Sequence, residues 1–442
     1  MHIFLLGAGH VGLVTAVGFA RLGHTVTVAD IDQPRIAGLR SGHMPLYEPG
    51  LEAAIADAGD RLSFTTELRP PEDVSHAVVA VNTPQGPDGP LSTEHVEKAV
   101  AGLLANLRSD QTIVVRSTLP LSGPDTLERL RGDRPDAPAI VTNPEFMREG
   151  SALRDFTQPG RIVTGWLAER DKAAAEAMLG LYAGIDAPTL VADARSVALI
   201  KLASNGFLAL KVAYANELAR LADAFGADAQ IVADGMGLDQ RIGRSFLDAG
   251  PGFGGSCLPE QAVALSSLAG AAAVPAPVID AVAVANDAHQ RAIVARLADL
   301  LQAGASHDPA ATSSGRRSLA DRRIALLGLA FKANTDDVRE SPALALAALL
   351  GAAGATVVAT DPRASERARR VAPDLNLAAT PEEAAAGADA ILVATEWAEY
   401  GAIDWSACAR AMRGNLVFDL RGVVDRTAAE KAGLRTVALG RP

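Results

Sequence analysis

The stretch Gly252-Phe253-Gly254-Gly255-Ser256-Cys257-Leu258-Pro259 holds one of only two cysteines among 442 residues. Three glycines in four positions let a backbone approach a ligand closely, because no Cβ stands in the way. A thiol placed directly after such a loop reaches whatever the loop holds. A cysteine either packs as a small hydrophobe or attacks an electrophile as a thiolate. Packing is the commoner role; the glycines, Pro259 and the polar Ser256 bring the nucleophile reading of Cys257 level with it. Lys201 and Asn205 lie four apart in a helical pattern, so they share a face. A lysine on a helix is usually solvated, but Asn205 on the same face of an apolar stretch points to a shared polar site. Lys332 and Arg339 lie where a second sheet's first strand turns into a helix. Cations there suggest an anionic ligand such as a diphosphate; a surface charge cluster is the plainer reading.

The elements that position these groups follow from pattern. Residues 3–7 form a short apolar run, followed by Gly7-Ala8-Gly9-His10-Val11-Gly12, a helical pattern and the strand-like Thr25-Val26-Thr27-Val28-Ala29-Asp30. A Gly-x-Gly-x-x-Gly opening a βαβ unit, with an acid after the second strand, is a dinucleotide signature. Gly7 makes the tight turn, Gly9 admits a pyrophosphate and Gly12 lets helix and strand pack. Asp30, with Asp32 as its rival, would hold the ribose hydroxyls and favours NAD over NADP. Three later apolar runs (78–81, 112–116 and 139–142) end in polar, Pro-containing loops. In an open α/β sheet a ligand lies beyond the carboxyl ends of the strands, so Thr83, Thr118, Glu145 and Glu149 are candidates to face one crevice. A helix cap at Thr118 and solvated glutamates are the plainer alternatives.

A long helical pattern from Asp193 to Phe225 follows, then a second to Met236, the cysteine loop and a third over about 278–301. Residues 303–320 are small, polar and breaker-rich, the mark of a linker. Beyond them a second βαβ pattern begins at Arg323, with Phe331 to Pro342 opening a helix. The expected fold is α/β: two Rossmann-like parallel-sheet domains, 1–192 and 321–442, joined by a central long-helix segment over 193–302. The composition supports this, with 49% apolar and only 4% aromatic residues. The net charge of −11 and the absence of a basic run argue against nucleic acid. Two distant cysteines make no disulfide framework. No apolar run approaches the roughly 20 residues of a membrane helix. The expectation is a cytoplasmic chain with no membrane partner.

The whole pattern resembles the UDP-glucose/GDP-mannose dehydrogenase family, and most closely its UDP-glucose branch. The resemblance rests on Gly7 to Leu13, Tyr47-Glu48-Pro49-Gly50-Leu51, Ser117-Thr118-Leu119-Pro120, Asn143 to Ser151, Lys201 to Asn205, Asn216-Glu217-Leu218, Arg241-Ile242-Gly243, Gly252 to Pro259 and Phe331 to Pro342. It implies a four-electron oxidation of the C6 alcohol of a nucleotide sugar, UDP-glucose first, with two NAD reduced and no metal. Cys257 would capture the aldehyde as a thiohemiacetal and then carry a thioester. Lys201 and Asn205 would stabilise the developing oxyanion. Thr118 with a carboxylate would hold a water that takes the hydroxyl proton, and Glu145 would be the base for thioester hydrolysis. Gly7, Gly9, Val11, Gly12, Asp30, Thr83, Thr118, Glu149 and Arg339 are the implied cofactor residues. Glu145, Phe146, Lys201, Asn205, Phe253, Gly254, Phe331, Lys332 and Arg421 are the implied substrate residues. Arg241 would reach the sugar nucleotide of a neighbouring subunit, which implies a homodimer.

The chain departs from the family at two adjacent positions. The family reads Cys-x-x-Lys-Asp; this chain reads Cys257-Leu258-Pro259-Glu260-Gln261. Glu260 reverses a charge beside the cofactor diphosphate, and Gln261 replaces a carboxylate that holds the catalytic water. Losing a general base costs about 10²–10⁴ in rate. The alternatives are therefore a dehydrogenase of another nucleotide sugar, one that stops at the aldehyde, or a sugar-nucleotide-binding homologue.

Overall fold

A computed structural model describes residues 1–86, 91–303 and 318–441. The chain forms two compact units, Met1–Ser204 and Asn205–Pro442. In the first, strands β1 (His2–Leu6), β2 (Thr25–Ala29), β3 (Leu62–Thr65), β4 (His76–Val79), β5 (Thr112–Val115), β6 (Ala139–Thr142), β7 (Ile162–Trp166) and β8 (Thr189–Asp193) build one sheet. Its order is β3-β2-β1-β4-β5-β6-β7-β8. Ile3 and Leu5 enter one core, whereas Phe4 and Leu6 enter another. Alternate residues of a strand point to opposite faces, and both faces of β1 are covered. That is why the strand reads as an unbroken apolar run. Each such side chain contributes about 1.5–3 kcal/mol by leaving water.

The sheet is parallel except at one junction, where β7 runs antiparallel to β6. The expected parallel-sheet domain is present, with this one antiparallel pair inside it. The connection from β6 to β7 spends its first residues on the polar Asn143–Ser151 segment and has one six-residue helix, Ala152–Thr157. Such a helix rises about 9 Å, short of the roughly 17 Å needed to return along a five-residue strand. At the other end, β1 lies between β2 and β4, so the crossovers reverse there and open a crevice. Val79 pairs with Val115, and Val115 with Thr142, so the loops after β4, β5 and β6 leave one edge, as the sequence predicts.

The second unit opens with the rest of the central helix, Ala194–Phe225, which runs through the boundary. Helices Ala229–Gly237, Cys257–Ala271 and Pro277–Ala303 follow. Gly206 is the one interior glycine of the central helix. A Cβ there would stand 2.6 Å from Leu265 Cδ1, so a larger residue would make that leucine side chain of the cysteine helix shift. Ala209 and Ala213 pack with Phe253, Ala262 and Val282. Strands β9 (Arg323–Leu327), β10 (Thr356–Thr360), β11 (Asn376–Leu377), β12 (Ala390–Val393), β13 (Leu416–Asp419) and β14 (Arg435–Ala438) form a second sheet. It is parallel throughout, in the order β11-β10-β9-β12-β13-β14.

Two expectations change, and one falls outside the described residues. The linker expected over 303–320 falls almost wholly outside the described residues. The 331–342 segment opens its helix only at its last residue. It is irregular through Ser341, and helix Pro342–Ala352 begins only there, with proline at the first position, where its missing N–H costs nothing. Among the described residues, the central helix is long and apolar enough by composition to cross a membrane. Lys201 and Asn205 interrupt its apolar sequence. Ala209 and Ala213, two turns further on, pack inside the protein.

Candidate active site

The dinucleotide edge of the first unit is built on three glycines. Gly7 has φ +108°, and a Cβ on it would meet Ala80 O at 2.4 Å. A Cβ on Gly12 would lie 1.9 Å from Gly7 O, so helix His10–Arg21 can approach β1 only with glycine there. A Cβ on Gly9 would meet nothing nearer than Asn82 Oδ1 at 4.0 Å. The space over Gly9 is open, as a diphosphate requires. Asp30 accepts hydrogen bonds from the N–H groups of Ala8 (2.7 Å) and Asp32 (2.9 Å). Asp32 is instead the N-cap of helix Gln33–Arg40. Val11 is half-buried in the first helical turn, and Thr83 and Thr118 are half-buried beyond β4 and β5. The loops meet where the Ser117 hydroxyl donates to Val81 O at 2.7 Å.

Beyond β6 the chain turns inward. Arg116 is buried and donates to Thr15 Oγ1 (2.8 Å), Asn143 Oδ1 (2.7 Å) and the Tyr182 hydroxyl (2.9 Å). It thereby fixes the start of the loop that carries Glu145. The Lys201 ammonium donates to Glu145 Oε1 at 2.8 Å and to Glu145 O at 2.7 Å. Both side chains are buried, at 3% and 8% exposure. Burial alone would raise the Glu145 carboxyl pKa. The Lys201 charge and hydrogen bond, the Met147 amide and the Arg116 charge outweigh it and hold the group below the usual range. Phe146 lies under the Arg161 guanidinium at 3.8 Å and 5.4 Å from the Lys201 ammonium. Glu149 is half-buried in the same loop.

The second unit carries the thiol. Cys257 follows the glycine loop directly and is the first residue of helix Cys257–Ala271, and its side chain is exposed. A thiolate at a helix N-terminus sits where the macrodipole favours negative charge. Cys408, by contrast, is buried, and burial pushes its thiol up to about 12, so it packs. The glycine loop rests on the 331–342 segment. Gly255 donates to Arg339 O at 3.0 Å, and a Cβ on Gly255 would strike the Phe331 ring at 2.9 Å. Phe253 is held at both ends of its peptide by Asn286, at 2.9 and 3.2 Å. Arg421 donates to Phe331 O at 3.2 Å, and Lys332 lies 5.6 Å from the Phe331 ring. Cys257, Phe253, Gly254, Phe331, Lys332 and Arg421 therefore belong to one neighbourhood. Arg339 is not at a helix N-terminus; it is exposed and paired with Asp337. Arg241 stands apart, 89% exposed and bound to Asp239.

The two residues that break the family pattern now have places. Gln261 is buried and accepts the Asn205 side-chain N–H at 2.9 Å. It is thus committed to orienting Asn205. Glu260 is half-buried; burial first, then Glu340 and Asp337, push its carboxyl up against the pull of Arg339. One cluster escaped the sequence reading: His10, inside the glycine motif, bonds to the buried Glu48 at 2.7 Å. Glu48 lies in a motif already singled out, but its partners are distant in sequence.

Residues 1–186 match the NAD binding domain of the UDP-glucose/GDP-mannose dehydrogenase family, 195–288 its central domain and 325–426 its UDP binding domain. The UDP-glucose 6-dehydrogenase of Rhizobium meliloti (strain 1021) is 40% identical over 451 residues, 100% of each chain. This chain belongs to the UDP-glucose/GDP-mannose dehydrogenase family. The UDP-glucose 6-dehydrogenase of Bacillus subtilis (strain 168) is 36% identical over 448 residues, covering 100% of this chain and 98% of its own. A solved UDP-glucose dehydrogenase from the archaeon Pyrobaculum islandicum is 35% identical, with a TM-score of 0.85, over 100% of this chain and 98% of its own. The family is one of NAD-dependent dehydrogenases of nucleotide sugars, as the motifs led us to expect, and this chain is such an enzyme. Its residues fit the cofactor: the space over Gly9 is open, and Asp30 closes the far side of the loop.

Proposed function

We propose that the chain oxidises the C6 alcohol of UDP-glucose to the carboxylate of UDP-glucuronate. The observation that carries this reading is the exposed thiol of Cys257, set at the head of a helix behind a glycine loop. It belongs to a chain whose full-length relatives act on UDP-glucose by name. Bound NAD supplies the hydride acceptor for each of two oxidations. In the first, the C6 hydroxyl proton passes to a water near Thr118 as the C6 hydride leaves, giving the aldehyde. The Cys257 thiolate then adds to that carbon, and a C–S bond forms as the carbonyl π pair moves onto oxygen. Lys201 and Asn205 stabilise this oxygen; Glu145 keeps Lys201 in place and Gln261 keeps Asn205 in place. Loss of the second hydride leaves a thioester. Water attacks it, Glu145 takes the proton, and the C–S bond breaks to return the thiolate.

The enzyme is proposed to work as a homodimer in the cytoplasm. Phe207, Tyr214 and Leu221 recur every seven residues along the central helix and are 61%, 49% and 53% exposed, with Phe225 at 83%. Apolar side chains at that spacing make one exposed stripe, which supports self-association. The exposure of Arg241 fits a residue that serves a neighbouring subunit. A second reading, a slowed enzyme that chiefly binds its sugar nucleotide, draws on the commitment of Gln261 to Asn205. Incubation with NAD and either UDP-glucose or GDP-mannose, with products identified by mass spectrometry, separates these. UDP-glucuronate as the favoured product is expected. Preferential oxidation of GDP-mannose, or tight binding of UDP-glucose without oxidation, would overturn the reading.

A further inference from the structure

We infer that His10 is a further cofactor-binding residue, and that its imidazolium, held by Glu48, pairs with the diphosphate of NAD. His10 is the first residue of helix His10–Arg21, directly after Gly9, over which the space is open. Its Nε2 lies 2.7 Å from Glu48 Oε2. The same carboxylate oxygen accepts the Gly150 N–H at 2.6 Å, and Oε1 accepts the Ala152 N–H at 2.9 Å. Glu48 therefore acts as an acceptor on all sides, and the imidazole must donate through Nε2. Nδ1 makes no hydrogen bond within the protein among the described residues, and the side chain is 17% exposed. A proton taken up from solvent thus adds at Nδ1, and creates both a charge and a new donor at the phosphate end of the motif.

The surroundings decide whether that proton stays. The helix N-terminus opposes a cation there by about 0.3–1 kcal/mol. Burial opposes it too, and is the largest single influence on His10. The Glu48 hydrogen bond and the charges of Glu149, Glu48 and Glu145 outweigh burial and raise the pKa above the ordinary histidine value. Glu145 is paired with Lys201, so Glu48 and Glu149 are the carboxylates that bear most directly on His10. With His10 neutral, the cofactor's two phosphates would face Glu48 without a counter-charge. With His10 protonated, Glu48 is neutralised and the diphosphate gains a charge-assisted hydrogen bond.

The consequence is a proton linkage. Affinity that depends on His10 protonation is full below its raised pKa and is lost as pH rises through it. Titration calorimetry of NAD into the sugar-free protein, between pH 6 and 9 and in buffers of different ionisation enthalpy, tests this without turnover. The wild-type protein should take up a proton on binding, and its Kd should rise about ten- to a hundredfold toward the alkaline end. His10→Gln keeps a donor for Glu48 and cannot be charged. Its Kd should stay near the alkaline wild-type value at every pH, with the proton uptake gone. A wild-type Kd that is flat with pH and shows no proton uptake would overturn the inference. So would a His10→Gln variant that follows the wild-type pH profile. Should His10→Gln fail to fold, His10→Asn takes its place with the same expected and overturning results.

Discussion

Substitution of Lys201 by methionine separates catalysis from folding at the most deeply buried charge pair of the site. The Lys201 ammonium and Glu145 carboxylate are 2.8 Å apart and at most 8% exposed. At an effective dielectric constant of about 20, their attraction is roughly 6 kcal/mol. Much of that is offset by the cost of taking both ions out of water. Removing one partner strands the other charge, and costs about 3–5 kcal/mol. In a unit of about 200 residues that corresponds to a fall in Tm of roughly 6–20 °C. Replacing both, with Lys201→Met and Glu145→Leu together, removes the stranded charge and should restore most of the lost Tm. Neither variant should form acid. The pair also sets an acid limit. Glu145 is held below its ordinary range, so its stabilisation is present above the unfolded carboxyl pKa and disappears as pH falls through the folded one. The assay is thermal unfolding at pH 7 and at pH 4, beside product analysis. A Lys201→Met protein that melts within about 2 °C of wild type at pH 7 would refute the argument, as would a double variant less stable than either single one.

Other expectations can be checked with the same material. Cys257→Ala should abolish acid formation while leaving the Tm nearly unchanged, because the side chain is exposed and opens its helix. Undiminished UDP-glucuronate would remove the thiol from the mechanism. Gln261→Leu leaves the Asn205 amide without its acceptor, at about 1–3 kcal/mol. It should lower kcat more than it changes the KM for the sugar nucleotide, and Gln261→Glu should recover most of the loss. An equal change in kcat for both variants would mean that orientation of Asn205 is not the role. Tyr214→Glu, in the exposed stripe of the central helix, should shift the chain toward monomer in sedimentation; unchanged sedimentation would reject that face as an interface.

The interior of the fold was legible because β1, β4, β5 and β6 are covered on both faces and read as apolar runs. The edges were not. β8 is exposed along much of its length, and β11 is two residues long, so neither carries a run or an alternation. The helix opened by Cys257 was hidden by Gly254-Gly255-Ser256 and by Pro259, which read as breakers. Pro259 is the third residue of that helix, where backbone N–H groups have no helical partner and proline loses nothing. The candidate site divided the same way. The glycine motif, Asp30 and the Cys257 loop announce themselves through local spacing. The pairings that give the site its chemistry do not. Lys201 meets Glu145 across 56 positions, Asn205 meets Gln261 across 56, and Glu48 meets Gly150 across 102. No periodicity reports such partners. They follow from the order of the strands and from how each helix packs on its neighbours.

The central claim is a four-electron oxidation carried through the Cys257 thioester. It is tested most directly by the NADH formed per UDP-glucose consumed, measured by absorbance alongside the product. Two per sugar, with UDP-glucuronate as product, is the predicted result. One per sugar, with aldehyde released, would contradict it and would make Glu260 and Gln261 the residues to explain.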